Sequence, residues 1–133
     1  MSSLQHRDSL VIAGNTEPKH QSVRAALDIL RENPSQLIEI RDRIASGLSG
    51  GLDDVDISRA RRLLYATDAS IYEMEPLAIT YPQNTEDVQA IVQVANELGV
   101  PILPRGAGTS LAGQGVNHAI VIDFTRHMNK IIK

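Results

Sequence analysis

Cysteine and tryptophan are both absent from this 133-residue sequence, and aromatic residues make up only 3% of it. Without cysteine, these residues hold no disulfide, no thiolate nucleophile, and no ligand for an iron–sulfur cluster or a cysteine-type zinc site. Histidine is sparse, and His6, His20, His118 and His127 are scattered without the spacing of a metal site. A long hydrophobic run is also missing. The N-terminal twenty residues offer only "LVIA", too short for a signal-peptide core or a membrane span, so a cytoplasmic protein is expected. Positive charge is not in excess either, with 13 Lys and Arg against 16 Asp and Glu for a net charge of −3. Nucleic acid is therefore not an expected partner, because it needs a basic face. The local cluster Arg59, Arg61 and Arg62 follows Asp53, Asp54 and Asp56, and it reads as a solvated helix surface.

What is present has the balance of a globular chain: 42% apolar and 22% charged residues. That length suits one domain, burying roughly two-thirds of its unfolded surface. Residues 1–20 read as a loosely ordered lead-in and residues 21–56 as a helical segment. Val23, Ala26, Leu27 and Leu30 fall at helical spacing. After Pro34, Leu37, Ile40 and Ile44 repeat the pattern, and the run ends in glycine, so the two form a helical hairpin. "GLSGGLDD" separates this hairpin from the rest.

Residues 57–133 alternate differently. A helical pattern from Ile57 to Tyr65 precedes "LAITYP", a short strand closed by Pro82. "NTEDVQAIVQVANELG" is the clearest helix, capped by Asn84 or Thr85 and stopped by Gly99, with a stripe of Val88, Ile91, Val92, Ala95 and Leu98. "VPILP" and "AIVIDF" read as further strands, and "MNKIIK" as the start of a fourth. Strand, helix and strand of this length predict a crossover between parallel strands. The whole reads as α+β, helices first and then a β-α-β-β unit that is incomplete at the C-terminus, a piece of something longer.

Between the second and third strands lies "PRGAGTSLAGQG", residues 104–115. Clustered glycine costs conformational entropy on folding, so the backbone itself has a task here. Gly106 and Gly108 begin a dinucleotide fingerprint, but Leu111 breaks it and the loop leads into a strand, not a helix. Gln114 and Gly115 replace the lysine and hydroxyl of a phosphate-binding P-loop, and Ser110 is out of register for a nucleophile elbow. Two readings stay open: a nest of N–H groups for an anion such as a diphosphate, or a glycine-rich hairpin turn.

"PLAITYPQNTEDV", "VPILPRGAGTSLAGQG" and "VIDFTRHMNKI" resemble, in order and spacing, the FAD-binding domain of vanillyl-alcohol-oxidase type flavoproteins. With "YATDASIYEMEPLAITYP" the resemblance narrows to FAD-linked dehydrogenases of D-2-hydroxy acids, such as D-lactate, glycolate or D-2-hydroxyglutarate. Within these it is most similar to the large members with a C-terminal iron–sulfur segment. The resemblance implies that Arg105, Gly106, Ala107, Gly108, Thr109 and Ser110 cradle the FAD pyrophosphate. It also implies that Gly113 and Gln114 continue toward the flavin and that Pro82 lies near the adenosine. Ala107 stands where many relatives have glycine. The loop has no histidine of the kind that attaches FAD covalently, so the implied FAD is non-covalent.

An N-terminal piece of such an oxidoreductase, inactive alone, is thus expected. The intact protein would oxidise a small 2-hydroxy acid and pass electrons to an acceptor, its catalytic residues lying outside this chain. A stand-alone nucleotide-diphosphate module and an interaction domain whose glycine loop is merely a turn are the alternatives. Asp68, Ser70, Tyr72, Asp123 and His127 read as anchoring residues rather than catalytic ones.

Overall fold

Proline cannot continue a helix from within but starts one well, and Pro34 divides two helices here. The computed structural model describes residues 20–132, so the expected lead-in falls outside the described residues except for His20, which begins the first helix. Helix α1 spans His20–Glu32 and α2 spans Pro34–Ala45. Asn33 caps the second, its Oδ1 accepting from the N–H groups of Ser35 at 3.1 Å and Gln36 at 3.3 Å. Leu27, Leu30, Leu37, Ile40 and Ile44 are buried where the helical repeat places them.

After a 3-10 turn at Gly51–Asp54 come a two-residue strand β1 (Val55–Asp56) and the short helix α3 (Arg59–Leu64). Neither β1 nor its antiparallel pairing with β2 has a periodicity long enough to read in sequence. Arg62 departs from the expected solvated surface. It is 6% exposed, its Nη1 lies 3.1 Å from Glu75 Oε1, and its Nε donates to Ile57 O at 3.1 Å. Position 62 faces inward because α3 lies against the protein with that side.

The remaining elements are β2 (Ala78–Thr80), α4 (Thr85–Leu98), β3 (Ile102–Arg105) and β4 (Ile120–Asp123). Asn84 Oδ1 accepts from Asp87 N at 2.8 Å at the start of α4, and Gly99 closes it at φ 66°. Ile91, Ala95 and Leu98 form its buried stripe, whereas Val92 is at the margin and exposed. The strand order is β1-β2-β4-β3, with β2 and β3 both parallel to β4. The crossover through α4 therefore skips one position, which β4 fills.

One apolar core joins α1, α2 and α4 to the sheet, bringing Leu27, Ile40, Ile44, Ile91, Ile120 and Ile122 together. Ile79, Tyr81 and Val121 pack separately, with Tyr65 and Leu103 against them. Burying each of these large aliphatic side chains contributes about 1.5–3 kcal/mol. The expected fourth strand at "MNKIIK" is not formed: residues 128–132 have no regular structure, and Ile131 and Ile132 are exposed. After Asp123 the chain leaves the sheet into a turn at residues 125–127. Among the described residues, no helix is long and apolar enough to cross a membrane.

Candidate functional site

Parallel β3 and β4 decide what the glycine stretch is. A hairpin turn joins antiparallel neighbours, whereas parallel strands need a connection of about a dozen residues or more, usually a helix. Residues 106–119 make this crossover without a helix. The hairpin reading of the loop is excluded.

The loop leaves the sheet at Arg105, at the carboxyl edge of the parallel strands, the edge where open α/β sheets take their ligands. It encloses an open concavity of about 230 Å³ lined by Pro104, Arg105, Gly106, Ala107, Gly108, Thr109, Ser110, Gln114 and Gly115. Among the described residues, the N–H groups from Gly106 through Leu111 have no acceptor within the chain. Gly108 and Gly113 have φ values of 71° and 81°, the left-handed conformation that lets successive N–H groups turn toward one point. Ser110 and Gln114 are joined to each other, the hydroxyl donating to Gln114 Oε1. Ser110 Oγ also accepts from Ala112 N and Gln114 N at 3.3 Å each. Gly113 and Pro82 do not line the concavity, and Pro82 is buried beside Tyr81.

Arg105 reaches the loop from its stem. Its Nη1 donates to Gly115 O at 2.7 Å and Tyr65 O at 3.1 Å, and its Nη2 to Thr67 O at 2.8 Å. Its Cζ lies 5.1 Å from the centroid of the Tyr65 ring, a cation–π contact. Sequence reasoning does not single out Tyr65. Its hydroxyl donates to Asp123 Oδ2 at 2.5 Å, and burial first, then this bond, raises its pKa. Asp123 also accepts from Thr125 N at 2.7 Å and Thr125 Oγ1 at 2.6 Å, a turn-anchoring role.

Asp68 accepts from Ser70 N at 2.9 Å, from Ser70 Oγ, and from Gly115 N at 3.0 Å. The Ser70 hydroxyl is foremost in holding this carboxyl below its ordinary range. Tyr72 packs its ring on Gly113, where a Cβ would lie 2.6 Å from Tyr72 Cδ2. His127 Nε2 lies 3.0 Å from Asp54 Oδ1, away from the glycine loop. Asp68, Ser70, Tyr72, Asp123 and His127 all anchor chain to chain, as their sequence context indicates.

The mixed sheet, with the α4 crossover and the glycine-rich connection at its carboxyl edge, has the arrangement of a flavoprotein-type FAD-binding fold. Residues 76–133 match the family model described as FAD binding domain. The chain is 41% identical over 92 residues to D-2-hydroxyglutarate dehydrogenase of Pantoea ananatis, covering 67% of this chain and 9% of that protein. It is 34% identical over 108 residues to the glycolate oxidase subunit GlcD of Bacillus subtilis, covering 79% of this chain and 21% of that protein. The chain therefore spans about a tenth to a fifth of the length of these relatives. Among solved structures it is similar to p-cresol methylhydroxylase with substrate bound, with a TM-score of 0.62 and 23% identity. That match covers 76% of this chain and 20% of the other, and it carries the fold. The α+β arrangement expected from sequence is the arrangement found.

Proposed function

We propose that this chain supplies the pyrophosphate-binding part of an FAD-dependent dehydrogenase for a small D-2-hydroxy acid. One observation supports this most: a run of unpaired N–H groups, Gly106 to Leu111, around a concavity inside the segment that matches the FAD binding domain. Unpaired backbone donors bordering one concavity favour an anion, and a diphosphate has the acceptor density to use several at once. The residues present fit the group.

In this reading the loop from Arg105 through Ser110 cradles the pyrophosphate, Gln114 continues the wall, and Gly113 follows outside the concavity toward the flavin. The Thr109 hydroxyl adds a donor at the rim. Pro82 borders the adenosine. The helical segment 21–56 backs the first part of the FAD-binding domain, 57–133, through their common core. Attachment is non-covalent, since the glycine stretch 104–115 carries no histidine, and His118, later in the crossover, holds its Nδ1 2.9 Å from Glu75 O. The bound flavin supplies the hydride acceptor for oxidation of the hydroxyl-bearing carbon. The named relatives act on 2-hydroxy acids, and the substrate class here follows their names.

Titration of the chain with FAD, followed by flavin fluorescence anisotropy, tests the cradle. FAD is expected to bind weakly, ADP to compete, and AMP and riboflavin to compete far less, because only the first two carry the diphosphate. No binding of FAD or ADP at millimolar concentration overturns the reading. So does competition by AMP equal to that by ADP, which moves recognition to the adenosine.

A further inference from the structure

A cation at the mouth of an anion cradle invites the reading that its charge meets the anion. The contacts of Arg105 point elsewhere. Three backbone carbonyls, from Tyr65, Thr67 and Gly115, take both Nη1 hydrogens and one of the two on Nη2, and the guanidinium lies over the Tyr65 ring. The loop itself closes on the guanidinium: a Cβ at Gly108 would lie 2.4 Å from Arg105 Nη2 and 2.9 Å from Cζ. The side chain thus lies against the inside of the turn, tying the start of the loop to its end and both to a third segment.

That third segment, Tyr65–Tyr72, holds the loop at further points. Asp68 Oδ2 accepts from Gly115 N at 3.0 Å, and the Tyr72 ring packs on Gly113. The Tyr65 hydroxyl bonds Asp123 at the end of β4. The segment precedes residue 76, where the match to the FAD binding domain begins.

We propose that Arg105 is a positioning residue, a latch that fixes the loop's N–H groups from beneath, and that Tyr65–Tyr72 is the strap on which it closes. The inference rests on the reading of this loop as a pyrophosphate cradle. A free N–H run binds an anion well only if its geometry is set beforehand, because ordering a loop on binding costs affinity. A latch across three carbonyls needs the planar fork of arginine, whereas a charge placed on phosphate is supplied by lysine as well.

The experiment compares Arg105→Lys, Arg105→Met, Tyr72→Phe and Tyr72→Ala in the full chain, with two readouts. The first is amide hydrogen exchange without nucleotide, following Gly115 and Gln114 in the loop against Ile40 and Ile91 in the core. The second is ADP affinity by calorimetry. A latch predicts that both Arg105 variants exchange the Gly115 amide at least about tenfold faster while Ile40 and Ile91 keep their protection, a local opening. It also predicts that both lose ADP affinity alike, by about tenfold or more for one lost charged hydrogen bond. Tyr72→Phe keeps the ring and behaves as the parent, while Tyr72→Ala loosens the loop. Unchanged Gly115 exchange in both Arg105 variants overturns the latch. So does ADP affinity kept by Arg105→Lys and lost by Arg105→Met, which makes Arg105 a phosphate charge. If the parent chain itself fails to bind ADP, the cradle reading falls, and the exchange rates alone still decide whether Arg105 latches the loop.

Discussion

Gly108→Ala is the sharpest test of how the loop is built. Position 108 has φ 71°, and an L-residue in that conformation costs about 1–2 kcal/mol. The added Cβ also meets Arg105 Nη2 at 2.4 Å, so the guanidinium must move away and give up its 2.8 Å bond to Thr67 O. A hydrogen bond to a charged group is worth about 1.5–3 kcal/mol, and solvent exposure places this one at the lower end. Together these give a loss of about 2–4 kcal/mol. Gly106→Ala is the internal control, because Gly106 has no positive φ and a Cβ added there would meet no atom within 4 Å. Its expected cost is under about 0.5 kcal/mol. Urea denaturation followed by circular dichroism reads both variants without needing a tryptophan. In an Arg105→Met background the steric part disappears, and Gly108→Ala should then cost only its backbone share. Equal stability of the Gly108→Ala and Gly106→Ala variants refutes the reasoning.

Asp87 gives two further expectations. It is 2% exposed and accepts from Ser49 N at 2.9 Å, Ser49 Oγ at 2.8 Å and Gln83 N at 2.9 Å. Asp87→Ala leaves those N–H groups without an acceptor and should cost about 2–4 kcal/mol in urea denaturation, and a loss below about 1 kcal/mol counts against the account. Burial alone would raise this carboxyl, but the bonds from Gln83 and Ser49 outweigh it and hold it below the ordinary carboxylate range. A depressed carboxyl contributes stability above its unfolded pKa and loses it as the pH falls through the folded one. The urea midpoint should therefore hold steady down to about pH 5 and fall below about pH 4, less steeply in Asp87→Asn.

The parts of the fold legible in sequence are those written in local chemistry. Helix α4 carries its own cap at Asn84 and its own stop at Gly99, and α2 its proline start, so their ends stand close to where sequence places them. Strands β3 and β4 are legible as apolar runs, but their order is not. That β4 enters between β2 and β3 depends on long-range pairing, which no periodicity records. The charge cluster at 59–62 misleads for a related reason, since the inward turn of Arg62 is set by Glu75 and the Ile57 carbonyl. The glycine loop is visible as a motif. The task of Arg105 is not, because its three acceptors are backbone carbonyls, and a carbonyl leaves no mark in the identity of the residue that bears it. Tyr65 is hidden in sequence because its partners, Arg105 and Asp123, lie far along the chain.

The place of β4 has a consequence for the order in which the molecule is made. Of the three parallel strands, the central one is the last to leave the ribosome. Until residues 120–123 emerge, β2 and β3 are separated by a vacant strand position about 10 Å wide, twice the usual spacing. Each then shows an unpaired edge, and Ile79 and Leu103 have no Val121 to cover them. Helix α4 and the α1–α2 hairpin must keep that gap until β4 enters it, and such non-local closure is slow compared with helix formation. The nascent chain is therefore most open to misassembly just before β4 arrives, with the glycine loop already made and Tyr65 of its strap still without Asp123.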